Sequence, residues 1–465
     1  MQIVRSPRED VLRIWGSGRA NPSKVYRLTT YFVSAEVEDG ALFCHTLTGE
    51  LVHLTLEEKQ NLSLLPCDYA PWMDSLIQKR YLVPLETDDQ KTVDTLRSLF
   101  TAVSASQGMN YYCVLPTTCC NARCFYCFEN GIRQETMSME TADQLARFIA
   151  ANKGKSPIRI HWFGGEPTLG IKQIDRICRY LREQEVDFYS TMTSNGYLLD
   201  DDLSRRAAQD WHLKGIQITL DGTEKVYNET KAYKAVTGSP YQRVLHNIGC
   251  LLAAQVQVRI RLNLGMHNVD DLNLLVDELS ERFPDKSRLM VYSHLLYVDC
   301  GFSPGYFNSD ERARLDPERK KLDDKIARSS FYSLPRSLPS LKKTRCKADD
   351  DGSLIVFPSG GFGKCDLFSE SHFVGDVVNG ITNSEEIKRH KEKVIYPECA
   401  GCPFYPSCVK LKICRNRGCS PSGVAEQRER AISSMKLIYE EYLRNDKNTI
   451  SPATDFQKGE DYEGI

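Results

Sequence analysis

No apolar run in this 465-residue chain approaches the roughly 18 to 20 residues that a membrane span needs. The opening Met1-Gln2-Ile3-Val4-Arg5-Ser6 lacks the basic and then apolar blocks of a secretory signal. A charge excess is missing too: 60 Lys and Arg stand against 62 Asp and Glu, a formal net of -2, with no polyelectrolyte attraction to nucleic acid or an anionic membrane. Nor is cysteine dense enough for a disulfide scaffold, although 17 are present, an odd number very unevenly spread. These absences leave a cytoplasmic soluble enzyme as the expectation, with no nucleic acid and no membrane among its partners. The length suggests roughly three domains.

What is present is clustered. Five cysteines fall between Cys113 and Cys127 and seven between Cys346 and Cys419, while Cys44, Cys67, Cys178, Cys250 and Cys300 are scattered. In a chain without an export signal, clustered thiols more often bind metal, whereas scattered ones are small buried hydrophobes.

The chain divides by pattern into four segments. Between Thr29 and Thr55 three strand-like runs, Thr29–Val33, Ala41–Cys44 and Leu51–Leu54, are separated by the turns Glu38-Asp39-Gly40 and Thr48-Gly49-Glu50. Helical periodicity follows to about Lys79, so residues 1–100 form a small sheet-plus-helix module closed by the acidic Asp88-Asp89 linker. Residues 101–335 alternate short apolar strands with amphipathic helices, the pattern of a parallel sheet with helical crossovers. Six strands are expected: Tyr111–Leu115, Ile158–Phe163, Phe188–Thr193, Gly215–Leu220, Val256–Leu264 and Leu289–Leu296. Helices such as Met139–Ala151, Pro240–Ala254 and Val269–Phe283 lie between them. A partial (β/α)6 barrel is expected in preference to an open α/β sheet, a choice that pattern alone leaves open. Residues 336–424 are rich in Cys, Gly and Pro with little periodicity, as where metal sites replace a hydrophobic core. Residues 425–465 read as a helix, Ala425–Arg444, and a polar tail.

Just after the first strand comes Pro116-Thr117-Thr118-Cys119-Cys120-Asn121-Ala122-Arg123-Cys124-Phe125-Tyr126-Cys127. Cys120, Cys124 and Cys127 make Cys-x3-Cys-x2-Cys, close enough to hold three corners of a four-iron cluster. No fourth cysteine follows at ferredoxin-like spacing, so one iron stays open to a substrate or cofactor. Cys119 offers Cys-x4-Cys-x2-Cys instead, and zinc is the other use of clustered thiols, although zinc normally takes four protein ligands or three plus water. The motif resembles that of the radical S-adenosylmethionine (SAM) superfamily, whose spacing, with the following Asn121, favours Cys120. The resemblance implies an open iron that binds the amino and carboxylate groups of SAM. It also implies that Tyr126, at the family's aromatic position, meets adenine through its backbone; simple packing is the alternative.

The second strand runs into His161-Trp162-Phe163-Gly164-Gly165-Glu166-Pro167, which resembles the family's GGEP motif. Its glycines let backbone approach the cofactor, and an exposed strand-end carbonyl can accept from the SAM amino group. The third strand ends in Thr193-Ser194-Asn195-Gly196 and the fourth in Thr219-Leu220-Asp221-Gly222. Polar residues at consecutive strand C-termini are where β/α folds bind ligands. The resemblance gives Ser194, and after it Thr219, a role toward the ribose or carboxylate of SAM. Asp221-Gly222 reads as a turn. Lys231 lies where relatives often place an Arg that meets the SAM carboxylate; Lys keeps the charge and loses the bidentate fork, and a solvated lysine is the other reading.

The seven later cysteines follow as Cys346-x13-Gly360-x4-Cys365 and Cys399-x2-Cys402-x5-Cys408-x5-Cys414-x4-Cys419. This resembles the SPASM extension of peptide-modifying radical SAM enzymes, which carries two auxiliary four-iron clusters. Mapped onto that pattern, Cys346, Cys365 and Cys414 hold one cluster and Cys399, Cys402, Cys408 and Cys419 the other. The spacing after Cys408 is five residues where the usual pattern has three, so Cys414 and Cys419 could exchange places. Seven thiolates leave one cluster with an open or non-cysteine site, and a pair of zinc ribbons is the bland alternative. Asp366 occupies the place of the base in sulfatase-maturing relatives; ordering the loop by accepting N–H groups is its other reading.

The resemblance as a whole, over about residues 109 to 424, implies SAM and three four-iron clusters as cofactors. It implies a 5'-deoxyadenosyl radical made by reductive cleavage of SAM, and a reducing partner such as flavodoxin or ferredoxin. The function expected is crosslinking of a ribosomally made precursor peptide by a thioether or carbon-carbon bond, since the N-terminal module resembles winged-helix-like domains that take a leader peptide as an added strand. An anaerobic sulfatase-maturing enzyme that makes formylglycine is the alternative. A non-catalytic iron-sulfur electron carrier is a more remote one, having no use for the GGEP and Thr193-Ser194-Asn195-Gly196 elements.

Overall fold

A computed structural model of the chain describes residues 1–105, 108–127, 129, 131–234, 237–296, 309–333, 336–365, 372–414 and 419–444. It separates into two compact units, one of residues 107–334 and 351–387, the other of residues 1–106, 335–350 and 388–465. The cysteine-rich segment is shared between the units.

The larger unit is built on six parallel strands, β1 (Tyr111–Thr117), β2 (Ile158–Gly164), β3 (Phe188–Ser194), β4 (Leu213–Thr219), β5 (Gln257–Leu264) and β6 (Leu289–Leu295). Each pairs with the next, as right-handed helical crossovers allow. A seventh, β7 (Ser353–Val356), lies parallel to β1 on its other side, with Ser353 opposite Tyr111. Three short antiparallel strands, β8 (Gly361–Gly363), β9 (Gly375–Asp376) and β10 (Gly380–Ile381), extend the sheet from there. Among the described residues β6 and β10 are its edges, so the fold is α/β with a partial, barrel-like parallel sheet.

Side-chain alternation explains which way each strand faces. In β3, Phe188, Ser190, Met192 and Ser194 are buried while Tyr189, Thr191 and Thr193 are half-buried. The buried sets, including Ile160 and Trp162 of β2 and Ile216 and Ile218 of β4, form one core with Leu145, Ile177, Ile248 and Leu279 from the crossover helices. The half-buried sets line the opposite face. The helices begin where capping residues stand: Ser138 accepts from the Thr141 N–H, Asp200 from that of Leu203, and Ser239 from that of Gln242 with Pro240 following.

The smaller unit holds an antiparallel sheet in the order Gln2–Arg5, Leu51–Thr55, Gly40–His45, Phe32–Val37. The strand expected at Thr29–Val33 runs later, because Val37 pairs with Gly40 across the Glu38-Asp39 turn and draws Ser34–Val37 into the ladder. Gly40–His45 is buried along its whole length and so shows no alternation. Its Ala41 and Phe43 meet Met73, Leu76 and Tyr81 on one face, and Leu42 and Cys44 meet Met435, Ile438 and Tyr439 of the helix Pro421–Arg444 on the other. The C-terminal helix therefore completes the core of the N-terminal sheet. No described helix is long and apolar enough to cross a membrane.

Candidate functional site

The loop that follows β1 carries Cys120, Cys124 and Cys127 in turns without helix or strand. The three thiols stand within electrostatic reach of one another, and no disulfide joins any described cysteine. Burial pushes the Cys120 thiol up to about 12 and the Cys127 thiol up to about 11, so both are protonated at neutral pH until a metal displaces the proton. Cys119 is engaged elsewhere: Thr136 Oγ1 approaches its Sγ at 3.9 Å and its carbonyl accepts the Glu166 N–H at 2.9 Å. Among the described residues no three His, Cys, Asp or Glu converge tightly enough to hold a single ion. Thiolates on separate corners of a multi-iron cluster need no such convergence, and three gathered, unbridged thiols suit that group.

Gly164 and Gly165 bring the end of β2 against this loop. Gly164 has φ +113°, and a Cβ there would stand 2.3 Å from the Thr117 carbonyl oxygen; at Gly165 one would stand 2.5 Å from those of Thr118 and Cys119. The space a side chain would need is thus taken by the backbone of the cluster loop itself. Glu166 is fully buried, and its carboxylate accepts from the Thr168 N–H and hydroxyl, from Ser194 Oγ at 2.8 Å and from the Asn195 N–H at 2.7 Å. Burial raises its pKa and these donors pull against that rise. Asn195 Nδ2 donates in turn to Asn121 Oδ1 at 2.7 Å. One carboxylate therefore ties together the ends of β2 and β3, and Asn195 ties them to the cluster loop. Pro167, also buried, opens a short 3-10 turn over Pro167–Gly170.

Lys231 is buried with Asp221. Their side chains are 3% and 1% exposed and lie 2.8 Å apart. Lys231 Nζ also donates to Tyr126 OH at 2.8 Å and to Thr219 Oγ1 at 2.5 Å, and Tyr126 OH donates to Asp221 Oδ2 at 2.7 Å. Asn263 Nδ2 reaches Asp221 Oδ1 at 2.9 Å, and Asn268 Nδ2 the Asp221 carbonyl at 2.7 Å. Burial disfavours the ammonium, but Asp221 and then Tyr126 and Cys124 hold it, and its pKa stands well above the usual value. Tyr126, Thr219 and Lys231 are thus brought into one network at the mouth of the sheet, and Ser194 into the neighbouring Glu166 network.

Asp221 was legible only as a turn residue and Asn195 only as part of a polar strand end, while nothing local marked Asn263 or Asn268. Their position at the C-terminal ends of successive strands was the available signal. The half-buried face below carries His161, whose Nδ1 lies 2.8 Å from Thr191 Oγ1, and Arg261, whose Nη2 lies 2.8 Å from His294 Nδ1. Burial and the neighbouring Arg261 lower the His294 pKa to about 4, and the same Nδ1 lies 2.7 Å from the Leu295 carbonyl oxygen.

In the smaller unit Cys399, Cys402, Cys408 and Cys419 line one cavity of about 580 Å³. Their thiols stand within electrostatic reach of one another, while Cys346 stands within reach of Cys414. The donor chemistry and the shared cavity fit a cluster held by the first four. Cys365 belongs to the other unit, just after β8. Asp366 lies outside the described residues.

The family model of the Radical SAM superfamily matches residues 114–279. Among curated proteins, a probable GTP 3',8-cyclase of Methanococcus vannielii is 26% identical over 132 residues, 28% of this chain and 40% of that protein. The GTP 3',8-cyclase of Nautilia profundicola is 26% identical over 234 residues, 49% of this chain and 67% of that protein. The matched stretch thus spans less than half of the first of these relatives. Among solved structures, native anSMEcpe with bound AdoMet and Cp18Cys peptide superposes with a TM-score of 0.52 at 13% identity, over 72% of this chain and 99% of that one. At that identity the likeness is one of fold.

Proposed function

From the radical SAM domain that residues 114–279 constitute, we propose that this radical SAM enzyme is a peptide maturase that crosslinks a ribosomally made precursor. The observation that carries this reading is the second thiol set: Cys399, Cys402, Cys408 and Cys419 surround one cavity in the same unit as the N-terminal sheet. A cofactor barrel alone would need neither. The structure of anSMEcpe, with its bound peptide, supports a peptide substrate for this fold.

In this reading Cys120, Cys124 and Cys127 hold the cluster that binds SAM, with Tyr126, Ser194 and Gly164 to Pro167 bordering the cofactor. Cys399, Cys402, Cys408 and Cys419 hold another. The clusters and SAM, when bound, supply the one-electron chemistry. The chain supplies rigidity and orientation. Glu166 fixes two strand ends against the cluster loop, and the Lys231–Asp221 pair holds the Tyr126 hydroxyl. The side chains of the half-buried face, His161 and Arg261 among them, offer donors to a substrate and replace water with oriented groups. The leader joins Phe32–Val37, an edge strand among the described residues, as an added strand.

Cyclisation of GTP is the second reading, favoured by the likeness to GTP 3',8-cyclases. Incubating the reconstituted chain with SAM and a low-potential reductant separates the two. A candidate precursor peptide, taken from a short reading frame adjoining the gene, should raise 5'-deoxyadenosine output several-fold above the substrate-free level, and GTP should not. Stimulation by GTP alone would overturn the peptide reading.

A further inference from the structure

The cavity of the smaller unit is walled by more than its cysteines. The helix Asp89–Ala105 contributes Arg97, which is 6% exposed although its side chain carries a full charge. Its Nη2 donates to the carbonyl oxygens of Tyr405, of Pro406 at 3.1 Å and of Cys408 at 2.9 Å, and its Nε to that of Lys342 at 3.1 Å. The guanidinium carbon sits 4.7 Å from the centre of the Tyr405 ring, and the Tyr405 hydroxyl donates at 2.7 Å to Asp94, one turn back on the same helix. The segment so gripped is the one between Cys402 and Cys408. It has no regular secondary structure of its own, only turns in which Tyr405 N–H meets the Cys402 carbonyl at 3.1 Å and Cys408 N–H meets the Tyr405 carbonyl at 3.3 Å.

We infer that Arg97 is the positioning residue of the C-terminal cluster: it fixes the Cys402–Cys408 segment through three backbone carbonyls and places a positive charge in the wall of the cavity that four thiolates share. Its fork of N–H donors does the first; a lysine has the charge without the fork. The second follows from Coulomb's law in a site with little water, since a nearby cation stabilises the more negative, reduced cluster more than the oxidised one and so raises its potential. Removing residues 1–100 as a separable recognition module would therefore strip the cluster of a support that comes from more than 300 residues away.

The inference rests on the reading of Cys399, Cys402, Cys408 and Cys419 as cluster ligands, and the test keeps the two apart. The full chain, Arg97→Gln, Arg97→Lys and a Cys399→Ala/Cys402→Ala reference are reconstituted anaerobically. Iron is counted, and each sample is titrated potentiometrically with electron paramagnetic resonance as the readout. The signal missing from the reference identifies the cluster. Arg97→Gln is expected either to lose that signal with about four irons, or to keep it with a reduction equilibrium about tenfold less favourable, which is about 59 mV lower for one electron. Arg97→Lys should hold iron better and titrate near the parent. A parent-like iron count and midpoint in Arg97→Gln overturns the inference, as does an equal loss from every cluster in both variants, the mark of a folding defect. If the reference already matches the parent in iron, the ligand reading itself has failed.

Discussion

Replacing Cys120, Cys124 and Cys127 together by Ala should remove about four irons per chain and reduce 5'-deoxyadenosine formation to background. The three thiols share one loop, stand within electrostatic reach of one another and form no disulfide, as joint anchors of one cluster would. The effect is all or none because a cluster that has lost three of its anchors does not remain bound. Cys119→Ala is the control that discriminates. Its Sγ faces Thr136 and its backbone, not its side chain, meets Glu166, so iron content and SAM cleavage should stay near the parent. Iron loss in Cys119→Ala equal to that in the triple variant would mean that the other spacing, from Cys119, is the one in use.

Asp221→Asn should be the most damaging single substitution outside the cysteines. Lys231 is 3% exposed, and the change leaves its ammonium buried without a counter-charge, at a cost of about 3–5 kcal/mol, read as a large fall in the thermal midpoint. Breaking a buried pair costs more than never having had it, so the double variant Asp221→Asn/Lys231→Met should recover much of that loss. The recovered protein should still be impaired in SAM cleavage, because the Tyr126 hydroxyl has then lost the Lys231 donor and the charge of its carboxylate acceptor. A single variant as stable as the parent would place Lys231 in solvent instead.

The sheet of the larger unit was legible because its strands obey a local rule. All six expected strands lie within two residues of the observed ones, from Tyr111–Thr117 to Leu289–Leu295, since each is a short run rich in apolar residues and helical periodicity separates it from the next. The thiol spacing was legible for the same reason. What escaped was long-range. Lys231 is 105 residues from Tyr126, and Arg97 is 311 from Cys408, and nothing in the neighbourhood of either residue distinguishes it from a solvated cation. Likewise Pro421–Arg444 shows only that it is a helix, not that Met435 and Ile438 cover the sheet built from residues 2–55. A buried charge is visible in a sequence only once its partner is known.

The peptide reading meets its most direct test in the mass of the product. A candidate precursor peptide, taken from a short reading frame adjoining the gene, is co-expressed with the enzyme, treated with iodoacetamide and fragmented by tandem mass spectrometry. A peptide lighter by one hydrogen pair, with one sulfur that no longer alkylates and a fragment ladder interrupted between two linked residues, is the expected result for a thioether; the same loss with every cysteine still alkylating marks a carbon-carbon bond and keeps the reading. A peptide of unchanged mass under conditions where SAM is consumed would contradict it, and conversion of a single cysteine to an aldehyde would show that the substrate is matured in the manner of a sulfatase instead.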